Sequence, residues 1–446
     1  MTNIMKFQLP SKISCSIGIL TTVVLGFSLP RISQNFPTSQ NLQNSSPDTP
    51  TSWNALMVSS WLSLNSAIST TTQTNTSLST SSQNSPNISP NSPKSSNLLS
   101  AASYAVIDEF KKFQFNVNPG EILSQKKLPS NKIIVNQKDL LTVLINTREY
   151  FQKYSNSDPD ILRTNLITAS GVTTEKILQT LEFMITVLQE DIAKGRTTRL
   201  QDSEFINQNF QVIKWDAYNP KKSQQEKLRI TKYAVFIHPG SRKKTAKFNT
   251  AIYSLKDNLA TDKFYTRYTK QDVLSGIYEP GGKEFGKVEP LAYLTRDGLE
   301  EALMQGTILI KFNDGSEDYF NVDRNNEIPY DKKIRPHAQK RYWYFRKVDA
   351  IKGYGYNIDA KISIKPGVTF AGDILNIGLG RVVVIEYNQG KQKRLRMGVI
   401  ADTGGAFLPN LYQLDFLAGI FPSQQAFKKH ISRLPEYATA YILVKK

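Results

Sequence analysis

The sequence has very few of the residues that build disulfide, thiolate or imidazole sites. Its 446 residues include one cysteine and three histidines. A single cysteine, Cys15, excludes an intramolecular disulfide and a zinc site built on thiolates. His238, His337 and His430 are widely separated and lack the short spacing typical of metal ligands. The sequence therefore predicts neither a metal ion nor a cofactor.

Acidic residues are also scarce relative to basic ones. The chain has 56 Lys and Arg against 38 Asp and Glu, a net charge of +18. Such an excess suits an anionic polymer or surface, for example nucleic acid, acidic lipid or cell-wall glycan carrying peptides. The sequence shows no helix-turn-helix pattern and no RNP-like pair of aromatic residues, so nucleic acid is not a predicted partner.

The first hundred residues lack the apolar periodicity of a folded domain. In residues 1–30, Lys6 and Lys12 precede an apolar stretch that is short for a spanning helix. A cleaved signal peptide and a retained membrane anchor both stay open, and export to the periplasm or cell envelope is expected. Residues 31–100 are rich in Ser, Thr, Asn and Pro, which predicts a disordered linker.

Residues 101–204 are predicted to be a small helical region. Two groups of apolar residues repeat there at helical spacing: Leu140, Leu141, Leu144, Tyr150 and Phe151, then Ile177, Leu178, Leu181, Ile185 and Leu188. Gly195 supplies a stop after the second group. We interpret both stripes as core. The role of this region is left open between an accessory domain and a packing platform.

From about residue 210 the pattern changes to β. A strand is predicted over 229–237, ending at His238-Pro239-Gly240, after a first strand at 212–215. Two hairpins are predicted at 308–322, turning at Asn313-Asp314-Gly315, and at 382–400, turning at Asn388-Gln389-Gly390. Short strands with tight turns favour a mainly β fold of barrel type over a wound parallel sheet.

Three aspartates in this β region are candidates for chemistry. An apolar run ends at Asp402, which is followed by Thr403, Gly404 and Gly405; Asp373 precedes it and Asp415 follows it. Acids flanked by apolar residues have raised pKa values, which suits proton transfer. Glycines after an acid allow close approach of backbone to a ligand. A tight turn in which Asp402 bonds its own backbone is the alternative.

The order of several motifs resembles the membrane-bound lytic transglycosylase A (MltA) family and its 3D domain, named for three aspartates. The matching segments are Ile277-Tyr278-Glu279-Pro280, Gln305-Gly306-Thr307, Asp314-Gly315, Tyr342-Trp343-Tyr344-Phe345-Arg346, Ala371-Gly372-Asp373, Leu379-Gly380, Asp402-Thr403-Gly404-Gly405-Ala406-Phe407 and Asp415. Together they cover about residues 205–446.

The resemblance implies a double-psi β-barrel at 336–446 beside an MltA-like β domain at 205–335, in a monomer that binds peptidoglycan glycan strands. It implies cleavage of the MurNAc–GlcNAc bond to 1,6-anhydro-muramyl products, with Asp415 as acid and then base. Asp402 and Asp373 would support Asp415. The implied substrate-binding residues are Tyr278, Glu279, Gln305, Thr403, Gly404 and Gly405.

The motifs also depart from the family pattern, which keeps other functions open. Leu408 and Pro409 stand where the family has Lys-Gly, and the spacing from Asp402 to Asp415 is two residues longer. One alternative is therefore an envelope protein that binds peptidoglycan without cleaving it. A second is a dimeric aspartic protease, because Asp-Thr-Gly also marks that class, although this chain contains the motif once.

Overall fold

The computed structural model describes residues 103–257, 262–331, 333–404 and 409–446. The predicted targeting segment at 1–30, the predicted linker at 31–100 and the candidate residue Gly405 lie outside these ranges. The described part is mainly β, as the sequence predicts, with helices concentrated before residue 210.

The α-helices of the described residues are mostly short. They are α1 Pro119–Ile122, α2 Gln137–Tyr154, α3 Pro159–Leu162, α4 Leu166–Ala169, α5 Thr174–Ala193, α6 Ser203–Asn209, α7 Lys270–Leu274, α8 Arg296–Ala302 and α9 Gln424–Ile431. The Asn136 side chain caps α2 by accepting from the first-turn backbone, and Thr173 caps α5 in the same way. Within the described residues, none of the helices is both long and apolar enough to cross a bilayer.

Strands make up most of the remaining structure. They are β1 Tyr104–Ile107, β2 Phe113–Val117, β3 Leu123–Lys126, β4 Ile133–Ile134, β5 Phe210–Trp215, β6 Leu228–Gly240, β7 Thr250–Leu255, β8 Val288–Leu294, β9 Thr307–Phe312, β10 Glu317–Asn325, β11 Trp343–Val348, β12 Thr369–Ala371, β13 Val382–Gln389, β14 Gln392–Asp402, β15 Gln413–Phe421 and β16 Tyr437–Lys445. Two strand pairs, β1–β2 and β7–β8, are separate.

The large sheet has 12 strands in the order β11-β10-β9-β6-β15-β12-β14-β13-β16-β5-β3, with β4 paired to β14. Its pairings also close on themselves, because β16 pairs with β6 through Tyr437–Arg229 and Ala438–Leu228. Strands β6, β15, β12, β14, β13 and β16 therefore form a closed cycle of neighbours. The double-psi arrangement stays a prediction.

Strand β6 belongs to two groups of strands. Its first part pairs with β15 in parallel as far as Phe236, and residues 237–240 pair in parallel with β9. The predicted end of this strand at His238-Pro239-Gly240 is wrong, because β6 continues through those residues. Proline is tolerated there because β9 is the one strand paired with that segment, so the missing N–H faces no second ladder. The domain boundaries drawn from sequence stay predictions.

The predicted hairpins and helices are confirmed. Strands β9 and β10 pair across the Asp314-Gly315 turn, and β13 pairs with β14 over its full length. The two predicted amphipathic helices are α2 and α5, and their apolar stripes are buried except for Leu141 and Leu178, which are half-buried. The helical stretch also contains β1 to β4, of which β3 and β4 join the large sheet. Strands of two to five residues are too short for periodicity to reveal.

Arg381 ties the helical stretch to the sheet. Its fully buried guanidinium donates to the carbonyls of Ile377 and Leu379, at 3.1 and 2.7 Å, and to Asn165 Oδ1 at 3.1 Å. Asn165 also caps α4. Burial lowers the pKa of Arg381 to about 9. The side chain therefore cross-links the turn before β13 to a helix cap more than 200 residues earlier in the chain.

We expect Arg381→Gln to lower the free energy of unfolding by about 1–3 kcal/mol, because glutamine cannot replace all three hydrogen bonds and leaves buried acceptors unpaired. Urea unfolding followed by tryptophan fluorescence measures the change. Arg433→Gln, at an exposed position, is the matched control and should stay within about 0.5 kcal/mol of the parent chain. Equal stability of both variants would contradict the cross-link.

Candidate active site

Strand register brings Asp402 and Asp415 to one face of the sheet. In β12, Ala371 pairs with Asp402 of β14 on one side and with Asp415 of β15 on the other. Asp415 in turn pairs with Thr231 of β6. Residues paired across a ladder share a face. We call the face that carries Thr231, Asp415, Ala371 and Asp402 the acid face.

A β-bulge makes this alignment. Phe370 pairs with Ile400, but the next residue, Ala371, pairs with Asp402, so that Ala401 has no opposite residue in β12. Without the bulge, Asp402 would point to the other face of the sheet. The bulge therefore decides that the two carboxylates lie together.

Asp415 is buried within β15 and does not cap a turn. Its side chain is 8 % exposed, and Oδ1 accepts no hydrogen bond from the described residues. Burial, with a smaller contribution from the negative charge of Asp402, raises the pKa of this carboxyl to about 7, although Thr231 and Lys232 act in the opposite direction. Asp415 therefore carries a proton at pH values where an exposed aspartate has lost it.

Asp402 is held by two donors at the start of the Asp-Thr-Gly-Gly loop. The Tyr233 hydroxyl donates to Oδ2 at 2.7 Å, and the Thr403 backbone N–H donates to Oδ1 at 2.8 Å. Burial raises the pKa of Asp402 to about 6, while Tyr233, Thr403 and the charge of Lys361 lower it. As pH rises, Asp402 thus loses its proton at a lower pH than Asp415. Near neutral pH the pair therefore favours a negatively charged Asp402 and a protonated Asp415.

Lys361 is a buried cation on the Asp402 side of the acid face. Its Nζ donates to Asn321 Oδ1 at 2.6 Å and to the Val322 carbonyl at 3.4 Å. Burial lowers the pKa of Lys361 to about 7, and the charges of Asp402 and Asp323 raise it. The lysine therefore links strand β10 electrostatically to the site.

Asp373 lies in a turn and holds the loop that connects the other two aspartates. It is fully buried and accepts from Asn376 N, Asn376 Nδ2 and Asn410 N at 2.8–2.9 Å. Burial raises its pKa to about 6, against the lowering effect of these donors. With its oxygens occupied by the backbone and an amide, Asp373 serves the local structure.

The described ends of the Asp402–Asp415 connection are both fixed to the turn after β12. Thr403 Oγ1 donates to the Gly372 carbonyl at 2.8 Å, and Gly372 N donates to the Asp402 carbonyl at 3.1 Å. At the other end, Asn410 N donates to Asp373. Thr403 and Gly404 lie beside Asp402, and their role in substrate binding stays a prediction.

The other predicted substrate-binding residues lie within hydrogen-bonded or packed structure. Tyr278 is buried in an aromatic cluster, and its hydroxyl lies 2.6 Å from that of Tyr344. Glu279 pairs with Lys244, with Nζ–Oε1 2.6 Å. Gln305 Oε1 accepts from Phe236 N at 3.1 Å, and its Nε2 lies 2.9 Å from the Nε2 of His238. Their roles in binding stay predictions.

Histidines do not form part of the acid face. His238 is buried beside Gln305, and burial lowers its pKa to about 4, so it is neutral at pH 7. His337 contacts Asp297, and His430 contacts Phe421. Within the described ranges, no group of three or more His, Cys, Asp or Glu side chains is arranged to hold a metal ion.

Sequence reasoning missed three residues of the site, Thr231, Tyr233 and Lys361. The first two carried a signal, because Arg229, Thr231 and Tyr233 take alternate positions in the first half of β6, although Lys232 lies between them. Residues at alternate positions of a strand share a face, so this pattern indicates one polar face of β6. Lys361 follows a 3-10 turn and gives no comparable local signal.

The arrangement is suited to proton transfer by one carboxyl under the influence of a second. Asp415 supplies a protonated acid whose Oδ1 is not used by another described residue. Asp402 supplies a negative charge that is held in place by Tyr233. General acid catalysis requires these features: a proton held at neutral pH and a group able to take it back.

We expect Asp415→Asn to be more stable than the parent chain at alkaline pH. The carboxyl titrates near 3.8 when unfolded and near 7 when folded, so its ionisation destabilises the folded state increasingly from pH 4 to pH 7 and fully above pH 7. The substitution should raise the free energy of unfolding by about 1–3 kcal/mol at pH 8. The gain should shrink steadily toward pH 4. Urea unfolding across this pH range measures the effect.

The matched control for this measurement is Asp297→Asn. Its side chain is 85 % exposed, so it should show no comparable gain at pH 8. A stability difference for Asp415→Asn that does not change with pH would contradict a raised pKa at this position.

The structure of this chain is similar to solved structures of lytic transglycosylases. No protein family model and no curated protein sequence matches it. Among solved structures it is similar to MltA of Escherichia coli with bound chitohexaose (TM-score 0.48, 15 % identity, 73 % of this chain and 94 % of that chain). It is also similar to MltA of Neisseria gonorrhoeae (TM-score 0.47, 13 % identity, 72 % of this chain and 96 % of that chain). A third similar structure is the membrane-bound lytic murein transglycosylase of Agrobacterium tumefaciens (TM-score 0.45, 15 % identity, 71 % of this chain and 98 % of that chain). These solved structures belong to the family that the sequence motifs resemble.

Proposed function

We propose that this protein is a lytic transglycosylase of the cell envelope that cleaves the MurNAc–GlcNAc β-1,4 bond of peptidoglycan strands. One observation carries the proposal: a buried Asp415 with an unused oxygen lies on the same sheet face as the buried Asp402. The double-psi arrangement of the closed strand cycle, the export of the chain and the binding of glycan strands belong to the same proposal.

The reaction needs one proton donor and no water. Asp415 gives its proton to the glycosidic oxygen, and the bond from that oxygen to C1 of the muramyl residue breaks. The C6 hydroxyl of the same residue then attacks C1, and its proton goes to the Asp415 carboxylate. The product is a 1,6-anhydro ring, and Asp415 returns to its protonated state. This differs from hydrolases, in which a second carboxyl activates water or attacks C1.

Asp402 acts on Asp415 through charge in this mechanism. Its carboxylate raises the pKa of Asp415, so the acid keeps its proton until the glycosidic oxygen takes it. The same negative charge stabilises the positive charge that develops at C1 as the bond breaks. Tyr233 and Lys361 keep Asp402 ionised by lowering its pKa.

A second candidate function is peptidoglycan binding without cleavage. It is favoured by the departures from the family pattern, namely Leu408-Pro409 after the Asp-Thr-Gly-Gly motif and the longer spacing from Asp402 to Asp415. In that case Asp415 would be a buried acid without a substrate. The two functions differ in product and share the ligand.

We expect the chain to release 1,6-anhydro-muramyl products from purified peptidoglycan, detected by mass spectrometry. Asp415→Asn should reduce the rate by about 1,000-fold, because an amide cannot donate the proton that starts the reaction. Asp297→Asn is the matched control and should keep the parental rate. Sedimentation of the parent chain with peptidoglycan without any anhydro product would favour the binding function.

We also expect activity to fall as pH rises through about 7, because the reaction starts from protonated Asp415. Asp402→Asn removes a charge that raises the pKa of Asp415, so the alkaline limb should move to lower pH by up to about one unit. Rates from pH 5 to pH 9 on the same substrate test this shift. An alkaline limb that stays in place would show that Asp402 acts in another way.

A further inference from the structure

Arg229 is a basic residue on the acid face with no role in the mechanism above. It precedes Thr231 and Tyr233 at alternating positions of β6, so the three side chains share a face. In the β6–β15 ladder, Arg229 pairs with Gln413 and Thr231 pairs with Asp415. The arginine thus lies two positions along the strand from the residue that pairs with the candidate acid.

The Arg229 side chain has no partner in the described part of the chain. Its backbone N–H donates to the Tyr412 carbonyl, but its guanidinium forms no hydrogen bond, ion pair or ring contact with a described residue. The residue is half-buried, and burial lowers its pKa. The neighbouring charges that act on it are Glu436 and Asp415. A half-buried charge without a partner costs free energy, and a bound anion would offset that cost.

Lys232 adds a second positive charge nearby, although its side chain leaves β6 on the opposite face from Arg229 and acts on the acid face only through its charge. Its Nζ donates to the Pro435 carbonyl, and the side chain is half-buried. Burial lowers the pKa of Lys232 to about 8, while the charges of Glu436 and Asp415 raise it. Glu436 forms no ion pair with Arg229 or Lys232 in the described structure. The two cations therefore outnumber the nearby anion when Asp415 is protonated.

Carboxylate is the anion that best fits this position. A guanidinium presents parallel N–H donors that match the two oxygens of a carboxylate. Glycans differ in whether they carry that group: chitin is neutral, whereas a muramyl residue carries a lactyl carboxyl, either free or extended by a peptide with carboxylates of its own. A carboxylate-binding subsite beside Asp415 would therefore bind muramyl glycans more tightly than chitin.

We propose that Arg229 binds a carboxylate of the glycan substrate next to Asp415, with the charge of Lys232 adding to the attraction, and thereby selects acidic glycan strands over neutral ones. This inference rests on the proposed function, because it takes the substrate to be a glycan bound at the acid face. The carboxylate comes either from the lactyl group or from the attached peptide, and the two sources can be separated by experiment.

The test measures binding in full-length protein carrying Asp415→Asn, so that no turnover interferes. Three probes are compared by isothermal titration calorimetry: peptide-free muramyl oligosaccharides with free lactyl carboxylates, the same oligosaccharides as methyl esters, and peptide-bearing oligosaccharides. We expect the free acids or the peptide-bearing strands to bind about 10-fold or more tightly than the esters, the range of a charged hydrogen-bonded pair. Preference for the free acids assigns the lactyl group, and preference for peptide-bearing strands alone assigns the peptide.

Variants at Arg229 connect the preference to the proposed subsite. Arg229→Gln should remove the preference, and Arg229→Lys should keep part of it, because lysine retains the charge without the fork of donors. Arg335→Gln, an exposed arginine outside the β6–β15 ladder, should keep all of it. Lys232→Gln should weaken the preference and gives a second test should Arg229→Gln unfold.

The possible outcomes separate this inference from the proposed function. Equal binding of acids, peptide-bearing strands and esters, or a preference that survives both Arg229→Gln and Lys232→Gln, would overturn the carboxylate subsite. Anhydro products from the parent chain in that case would leave the transglycosylase standing. A preference lost in Arg229→Gln, with no anhydro product from the parent chain, would support the subsite and reject cleavage.

Discussion

The site depends on one strand register, in which Ala371 of β12 lies between Asp402 and Asp415. Side chains alternate along a strand, so a shift of one residue on either side would send one carboxyl to the opposite face. The register is enforced by close contact: Val399 N donates to the Val368 carbonyl, and a side chain at Gly398 would approach that carbonyl to 2.8 Å. Glycine at 398 therefore allows β12 and β14 to lie as close as the site requires.

The pKa values of Asp402 and Asp415 are set mainly by burial, because neither carboxyl has a direct ion-pair partner among the described residues. Neither Asp402 nor Asp415 forms a salt bridge in the described structure; each has a hydroxyl beside it, from Tyr233 and Thr231 respectively. A hydroxyl stabilises a carboxylate less than an adjacent guanidinium does, so burial prevails and both pKa values rise. Asp402 accepts hydrogen bonds from Tyr233 and the Thr403 backbone N–H, and the charge of Lys361 adds to their effect, so its pKa rises less than that of Asp415. The same fold thus gives one acid that ionises early and one that keeps its proton.

Local patterns predicted the elements, and they could not predict the contacts between elements. The helical stripes around Leu144 and Leu181 and the turn at Asp314-Gly315 are local signals, and the structure has these elements where they were expected. The contact of Tyr233 with Asp402 joins positions 169 residues apart and follows from strand order, which periodicity does not encode. The predicted end of β6 before Pro239 was wrong, because whether a strand tolerates proline depends on how many neighbouring strands it has at that point.

The helical stretch before residue 204 supports the backbone on which the aspartates lie. The hydroxyls of Tyr150 and Tyr354 both donate to the buried Asp158, at 2.7 and 2.9 Å, which fixes the segment containing Tyr354 to this stretch. Tyr354 N then donates to the carbonyl of Ala401, the bulge residue before Asp402.

A second connection runs from the helical stretch to Asp373. Asn376, which donates two hydrogen bonds to Asp373, exchanges further hydrogen bonds with the backbone of Ile107, and its own carbonyl accepts from Leu166 N. Both the bulge at Ala401 and the turn at Asp373 are irregular backbone that a sheet alone does not hold in place. The helical stretch holds Tyr354 and Asn376, the residues that supply hydrogen bonds to this irregular backbone, and so stabilises it indirectly.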